Sequence, residues 1–131
     1  MTPLSVTMGQ APTVLVVDDD SHVLDVLVGI IEAKGFRVFA AVNAVDAIRL
    51  LAQVHVDILL TDIVMPDFDG IELAKQAKRV HPNLTILFTT GYFSRASGAQ
   101  PLGAVMFKPM RAREVEAMLD AAVGLGGSSL S

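Results

Sequence analysis

Short apolar runs alternating with longer stretches of helical period constrain this chain more than any other feature. Thr13-Val-Leu-Val-Val17 is β-branched and apolar on both of its alternating faces, which suits a strand buried on both sides. Phe36–Ala40, Ile58–Leu60, Leu84–Phe88 and Gly103–Phe107 read as four further strands. Between them, Ser21 can cap a helix in which Leu24, Leu27, Val28 and Ile31 share a face, and Gly35 stops it. Asn43 caps a second helix with the stripe Ala44, Ala47, Ile48 and Leu51. The turn cluster Asp67-Phe-Asp-Gly70 leads into a helix over about Ile71–Val80, which His81-Pro82-Asn83 ends. A last helix over about Arg111–Val123 buries Val115, Met118, Leu119 and Ala122. Ser94 to Gln100 has two serines, a glycine and no apolar stripe, and Pro101 follows, so any helix there is short and marginal.

Strands alternating with helices predict an α/β fold, a doubly wound five-stranded parallel sheet with helices on both faces. A length of 131 residues suits one domain, over 13–123, with an N-terminal extension 1–12 and a flexible Gly/Ser tail 124–131 that can bury little. Without cysteine the chain has no disulfide, zinc-thiolate site or thiol nucleophile. Its net charge of −4 offers no basic footprint for nucleic acid or an anionic membrane. No apolar run approaches the ~18 residues of a membrane span. Residues 1–12 lack the pattern of a signal peptide, so a cytoplasmic protein is expected. No output domain follows Val123, which argues against DNA binding within the chain.

In such a sheet, chemistry gathers at the carboxyl ends of the strands. Here the first strand ends in Asp18, Asp19 and Asp20, the third in Asp62, the fourth in Thr89 and Thr90, and the fifth in Lys108-Pro109. Clustered carboxylates repel unless a cation intervenes, and Mg²⁺ is the natural one, taking one or two carboxylates and a phosphate oxygen. The residues therefore suggest a Mg²⁺ and phosphoryl site with Asp62 as nucleophile, and with Lys108 and a threonine hydroxyl neutralising and orienting the phosphoryl oxygens.

The segments Val-Leu-Val-Val-Asp18-Asp19-Asp20, Asp57-Ile-Leu-Leu-Thr-Asp62-Ile-Val-Met65-Pro66-Asp-Phe-Asp-Gly70, Leu-Phe-Thr-Thr90-Gly91-Tyr92 and Phe-Lys108-Pro109 resemble the receiver domains of response regulators, over roughly Thr13 to Val123. The resemblance implies the flavodoxin-like strand order 2-1-3-4-5. It implies that Asp62 is the phosphoacceptor and a metal ligand, Asp19 a direct Mg²⁺ ligand, and Asp18 the holder of a metal-bound water, with the Val64 carbonyl as a further ligand. Thr90 is then the hydroxyl that swings toward the phosphoryl group, Lys108 its ion-pair partner, and Lys108–Pro109 a cis bond. A histidine kinase or histidine phosphotransfer protein would supply the phosphoryl group, and a downstream protein partner would read the change. The alternative is a receiver-like interaction module that works without phosphorylation; the complete acid, threonine and lysine set argues against it.

The Phe-Thr-Thr-Gly-Tyr segment and the weak fourth helix are similar to receivers attached to hybrid histidine kinases and to some single-domain regulators. Val105 stands where the family often has a mobile aromatic, so the expected response is a population shift in a loosely held segment, Gly91 to Gly103, and not a ring rotation. Val64 and Tyr92 occupy the two positions that influence the hydrolytic water in the family; valine offers it no side-chain hydrogen bond and tyrosine is bulky enough to obstruct it, so slow self-dephosphorylation is expected.

Several neighbours read as structural. Asp20 suits a helix N-terminus, Thr89 is a neighbour of Thr90, and Asp67 and Asp69 are turn formers, with Gly70 supplying an unusual backbone angle. His22, His55 and His81 lie in three unrelated places without metal-ligand spacing, and Met106, Met110 and Met118 read as core filler. A flavodoxin would need a hydroxyl- and glycine-rich phosphate loop after the first strand, where three aspartates stand. There is no P-loop, and a haloacid-dehalogenase-type phosphatase would place its nucleophile after the first strand.

Overall fold

The computed structural model describes residues 11–127. Five strands, β1 (Thr13–Val17), β2 (Arg37–Ala41), β3 (Ile58–Asp62), β4 (Thr85–Thr90) and β5 (Gly103–Phe107), alternate with helices α1 (Ser21–Ala33), α2 (Ala44–Gln53), α3 (Gly70–Val80), α4 (Ala96–Ala99) and α5 (Ala112–Gly127). A 3₁₀ turn over Phe93–Arg95 precedes α4. The strands form one parallel sheet in the order β2-β1-β3-β4-β5, the order that the resemblance implies.

Alternation within each strand divides the core. Leu15, Val17, Leu59 and Phe88 face α2, α3 and α4, whereas Val14, Val16, Leu60 and Leu87 face α1 and α5. Every residue of β1 and β3 is buried, which suits their apolar runs Val14–Val17 and Ile58–Leu60, while the edge strands β2 and β5 are partly open. At the lower end of the sheet Asp57 ties three strands together. Its carboxylate accepts the Thr13 N–H at 2.8 Å, its own N–H donates to the Thr13 carbonyl, and its carbonyl accepts from Thr85.

Several boundaries differ from the sequence reading. β2 runs one residue later, β3 extends through Asp62, and β4 covers Thr85–Thr90. The cap of α1 is Asp20, whose carboxylate accepts from His22 and Val23 N–H, and Ser21 is the first helical residue; the carboxylate is the stronger acceptor at the positive helix end. Asn43 caps α2 as expected, and Gly35 ends α1 at φ 95°. α5 continues to Gly127, so residues 124–127 of the expected tail are helical. The rest of that tail, 128–131, and most of the extension, 1–10, lie outside the described residues. No helix among the described residues is long and apolar enough to cross a membrane.

Gly70 needs its lack of a side chain for a reason other than backbone angle. Among the described residues the glycine with positive φ is Gly35, not Gly70. A Cβ on Gly70 would instead lie 2.0 Å from the Asp62 carbonyl oxygen, and the Gly70 N–H donates to the Ile63 carbonyl at 2.7 Å. The first turn of α3 is thus pressed onto the end of β3, where Asp62 sits. Gly70→Ala is expected to cost about 2 kcal/mol or more in denaturant unfolding, the scale of overpacking against rigid backbone. Gly29→Ala, in α1 with nothing within 4 Å of the added carbon, should be neutral or stabilising by about 0.5–1 kcal/mol. Equal effects of the two changes would contradict this account of Gly70.

Candidate active site

Parallel register delivers the reactive groups to one edge. β1 pairs with β3 up to Val17 and Thr61, so the next residues, Asp18 and Asp62, leave adjacent strands side by side. β4 pairs with β5 up to Thr90 and Phe107, and the Lys108 N–H then donates to the Thr90 carbonyl at 2.8 Å. The Lys108–Pro109 bond is cis, as the resemblance implies.

The lysine reaches past the end of β4 to both acids. Its Nζ lies 2.9 Å from Asp18 Oδ2 and 3.0 Å from Asp62 Oδ2. Asp18 is 1% exposed and Asp62 5%, so water screens neither charge well. Backbone donors share the work: Asp20 N–H binds Asp18 Oδ1 at 2.9 Å, and Val64 N–H reaches Asp62 Oδ1 at 3.3 Å. Burial pushes the Asp62 carboxyl above the usual carboxylate range despite Lys108, and the neighbouring Asp18 adds to the rise. Burial also works against the Lys108 ammonium, but the hydrogen bonds and charges of Asp18 and Asp62 outweigh it and hold that group above its ordinary value.

Carboxylate oxygens of Asp18, Asp19 and Asp62 all lie within 4.8 Å of one another, with Asp19 exposed. Clustered hard oxygens beside one ammonium fit a small divalent cation. Thr90 is fully buried, and its Oγ1 accepts the Tyr92 N–H at 3.0 Å and lies 3.4 Å from the Tyr92 carbonyl. The hydroxyl is therefore engaged with Tyr92. Thr89 is also buried, paired with Asp62 in the ladder.

Other residues acquire roles that the sequence did not signal. Asp69 caps α3 through the Ile71 N–H at 2.7 Å and also forms an ion pair with Arg95, 26 positions away, a separation that no local pattern encodes. Phe93 stacks on Phe107 with ring centroids 4.9 Å apart, although Phe93 is 80% exposed. His55 and His81 are not unrelated: their rings meet edge to face at 6.3 Å. His55 Nε2 lies 2.9 Å from Asp57 and His81 Nε2 2.7 Å from the Leu51 carbonyl, far from the acidic edge. Within the segment Gly91 to Gly103, Ala96 and Ala99 are buried and Arg95 is paired with Asp69.

Residues 14–120 match the family model of the response regulator receiver domain. The chain is 38% identical over 117 residues to the response regulator receiver protein CpdR of Brucella abortus (strain 2308), a match over 83% of this chain and 98% of that protein. It is 33% identical over 82 residues to the sensor kinase CckA of the same organism, covering 61% of this chain but 9% of the kinase. Its fold superposes with a TM-score of 0.81 on a CheY-like receiver domain protein from Methanospirillum hungatei JF-1, at 26% identity, over 91% of this chain and 99% of that one.

The electrostatics have a thermodynamic signature. Because the Asp62 shift is upward, the stability linked to its protonated form is fully present below the ordinary carboxylate range. That stability is lost as pH rises through the raised value of the folded state. Asp62→Asn, which cannot ionise, should therefore unfold at higher denaturant than the parent at pH 7, by about 1 kcal/mol on the scale of single substitutions. The advantage should shrink on acidification. A variant destabilised at pH 7 would contradict the electrostatic reading.

Proposed function

The chain belongs to the response-regulator receiver family of two-component systems, and on that premise we propose that it accepts a phosphoryl group on Asp62 from the phosphohistidine of a histidine kinase or histidine phosphotransfer protein. The observation that carries the reading is the Lys108 ammonium held between the buried carboxylates of Asp18 and Asp62, with Asp19 alongside. An oxygen of Asp62 attacks phosphorus, the phosphorus–nitrogen bond breaks, and the imidazole leaves with the electron pair. Burial raises the Asp62 pKa and Lys108 partly offsets that rise, favouring the carboxylate form that acts as the nucleophile.

Asp18, Asp19 and Asp62, with the Val64 carbonyl, are the residues that would hold Mg²⁺, which supplies positive charge for the phosphoryl oxygens. Lys108 exchanges its contact with Asp62 Oδ2 for a phosphoryl oxygen. Thr90 turns its hydroxyl from Tyr92 toward the same group, and the change is read by a downstream protein partner. The functional unit is residues 13–123, the location is the cytoplasm, and the acidic chain binds neither nucleic acid nor membrane. The net charge of −4 supports the last of these points.

Incubation with Mg²⁺ and a phosphohistidine donor or acetyl phosphate should give acid-labile phosphate on the parent protein and none on Asp62→Asn. Asp19→Asn should weaken Mg²⁺ binding on the order of tenfold, by the scale seen when a site loses a supporting group. Full labelling of Asp62→Asn sinks the assignment.

Lifetime gives a separate expectation. Val64 offers no side-chain hydrogen bond to an attacking water, and Tyr92, 60% exposed at the rim, obstructs its approach. Slow self-dephosphorylation follows, and Val64→Asn with Tyr92→Glu should quicken it about tenfold, the size of a general positioning effect. An unchanged rate in the double variant would remove this argument.

A further inference from the structure

We propose that the Asp69–Arg95 ion pair is a latch that holds residues 92–100 against the β3–α3 loop in the unphosphorylated protein and opposes activation. The inference rests on the phosphoacceptor reading for its link to function, but the latch itself is a property of the free fold.

Asp69 joins three parts of the molecule. Its Oδ1 accepts the Ile71 N–H and caps α3, its backbone forms an isolated antiparallel bridge with Val64, and its Oδ2 accepts from Arg95. Val64 in turn donates its N–H to Asp62 Oδ1. A continuous set of bonded contacts therefore runs from the acceptor carboxylate through Val64 and Asp69 to Arg95. A second route starts at Thr90, whose Oγ1 accepts the Tyr92 N–H, while the Tyr92 carbonyl accepts the Arg95 N–H at 3.0 Å. Both routes begin at groups that a phosphoryl group on Asp62 would engage, and both meet at Arg95.

Little else secures the segment. Its buried side chains are two alanines, Ala96 and Ala99, and Phe93 rests on Phe107 at an open surface. A Cβ on Gly98 would lie 3.3 Å from Ile71 Cδ1, so α4 lies directly on the first turn of α3, the turn that Asp69 caps. The ion pair is half-exposed, 40% for Arg95 and 38% for Asp69, which places it among weak pairs. A weak pair suits a switch, because a phosphoryl group can overcome it.

The test uses Arg95→Gln, Asp69→Asn and the double variant. Asparagine caps a helix about as well as aspartate, so Asp69→Asn removes the charge and keeps the cap. The two changes shift net charge in opposite directions, so a shared effect cannot come from net charge. Each should raise amide exchange across residues 92–100 in the free protein. Each should also tighten binding of beryllofluoride with Mg²⁺ about two- to fivefold, the range that a half-exposed pair converts to. Tyr92, the single tyrosine of a chain without tryptophan, gives the fluorescence readout. The double variant should differ little from either single one, and 0.5 M salt should bring the parent close to Arg95→Gln.

Unchanged exchange, or beryllofluoride affinity that is unchanged or weaker, overturns the latch. If the parent itself fails to bind beryllofluoride, the phosphoacceptor reading falls, and the exchange comparison decides the latch alone.

Discussion

One ammonium shared by two buried carboxylates governs this molecule. Asp18 and Asp62 leave neighbouring strands side by side and almost out of contact with water, an arrangement that repulsion and lost hydration both oppose. Lys108, arriving from β5 across the end of the sheet, makes it tolerable at 2.9 and 3.0 Å. The compensation is incomplete: Asp62 remains above the ordinary carboxylate range, and Asp19 adds a further exposed acid. A site left short of positive charge in this way is suited to a divalent cation, and an ammonium beside a carboxylate is suited to a phosphoryl group bound to that carboxylate.

That arrangement depends on the whole sheet. Only parallel strands bring their carboxyl ends to one edge, and only a sheet covered on both faces makes such strands stable. The two halves of the core, divided by the period-two alternation of β1 and β3, supply that cover. Gly70 sets how near α3 approaches Asp62, and the contact of Lys108 N–H with Thr90 fixes where the lysine leaves β5. The fold and the site are therefore one construction problem, solved by register.

Much of this was legible in the residues. β1, β3 and β5 are apolar runs ended by reactive side chains, and period-two and helical spacing are local properties that a linear reading detects. Asp18, Asp19, Asp62, Thr90 and Lys108 gather where strand ends should gather. What escaped was either graded or long-range. Asp20 took the cap from Ser21 because a carboxylate at a helix start outcompetes a hydroxyl, a difference of degree. Gly70 reads as a turn glycine because sequence does not show which backbone it will touch. The Arg95–Asp69 pair and the meeting of His55 with His81 arise from tertiary packing between helices and loops, which leaves no local periodicity.

The central claim is that the carboxylate beside Lys108 receives the phosphoryl group. Borohydride reduction of the phosphorylated chain, followed by mass spectrometry of its peptides, locates an acyl phosphate by converting that carboxyl to an alcohol. The account predicts reduction at Asp62 alone, dependent on Mg²⁺ and on a phosphodonor. Reduction at Asp18 or Asp19, or none under conditions where phosphate is incorporated, would contradict it.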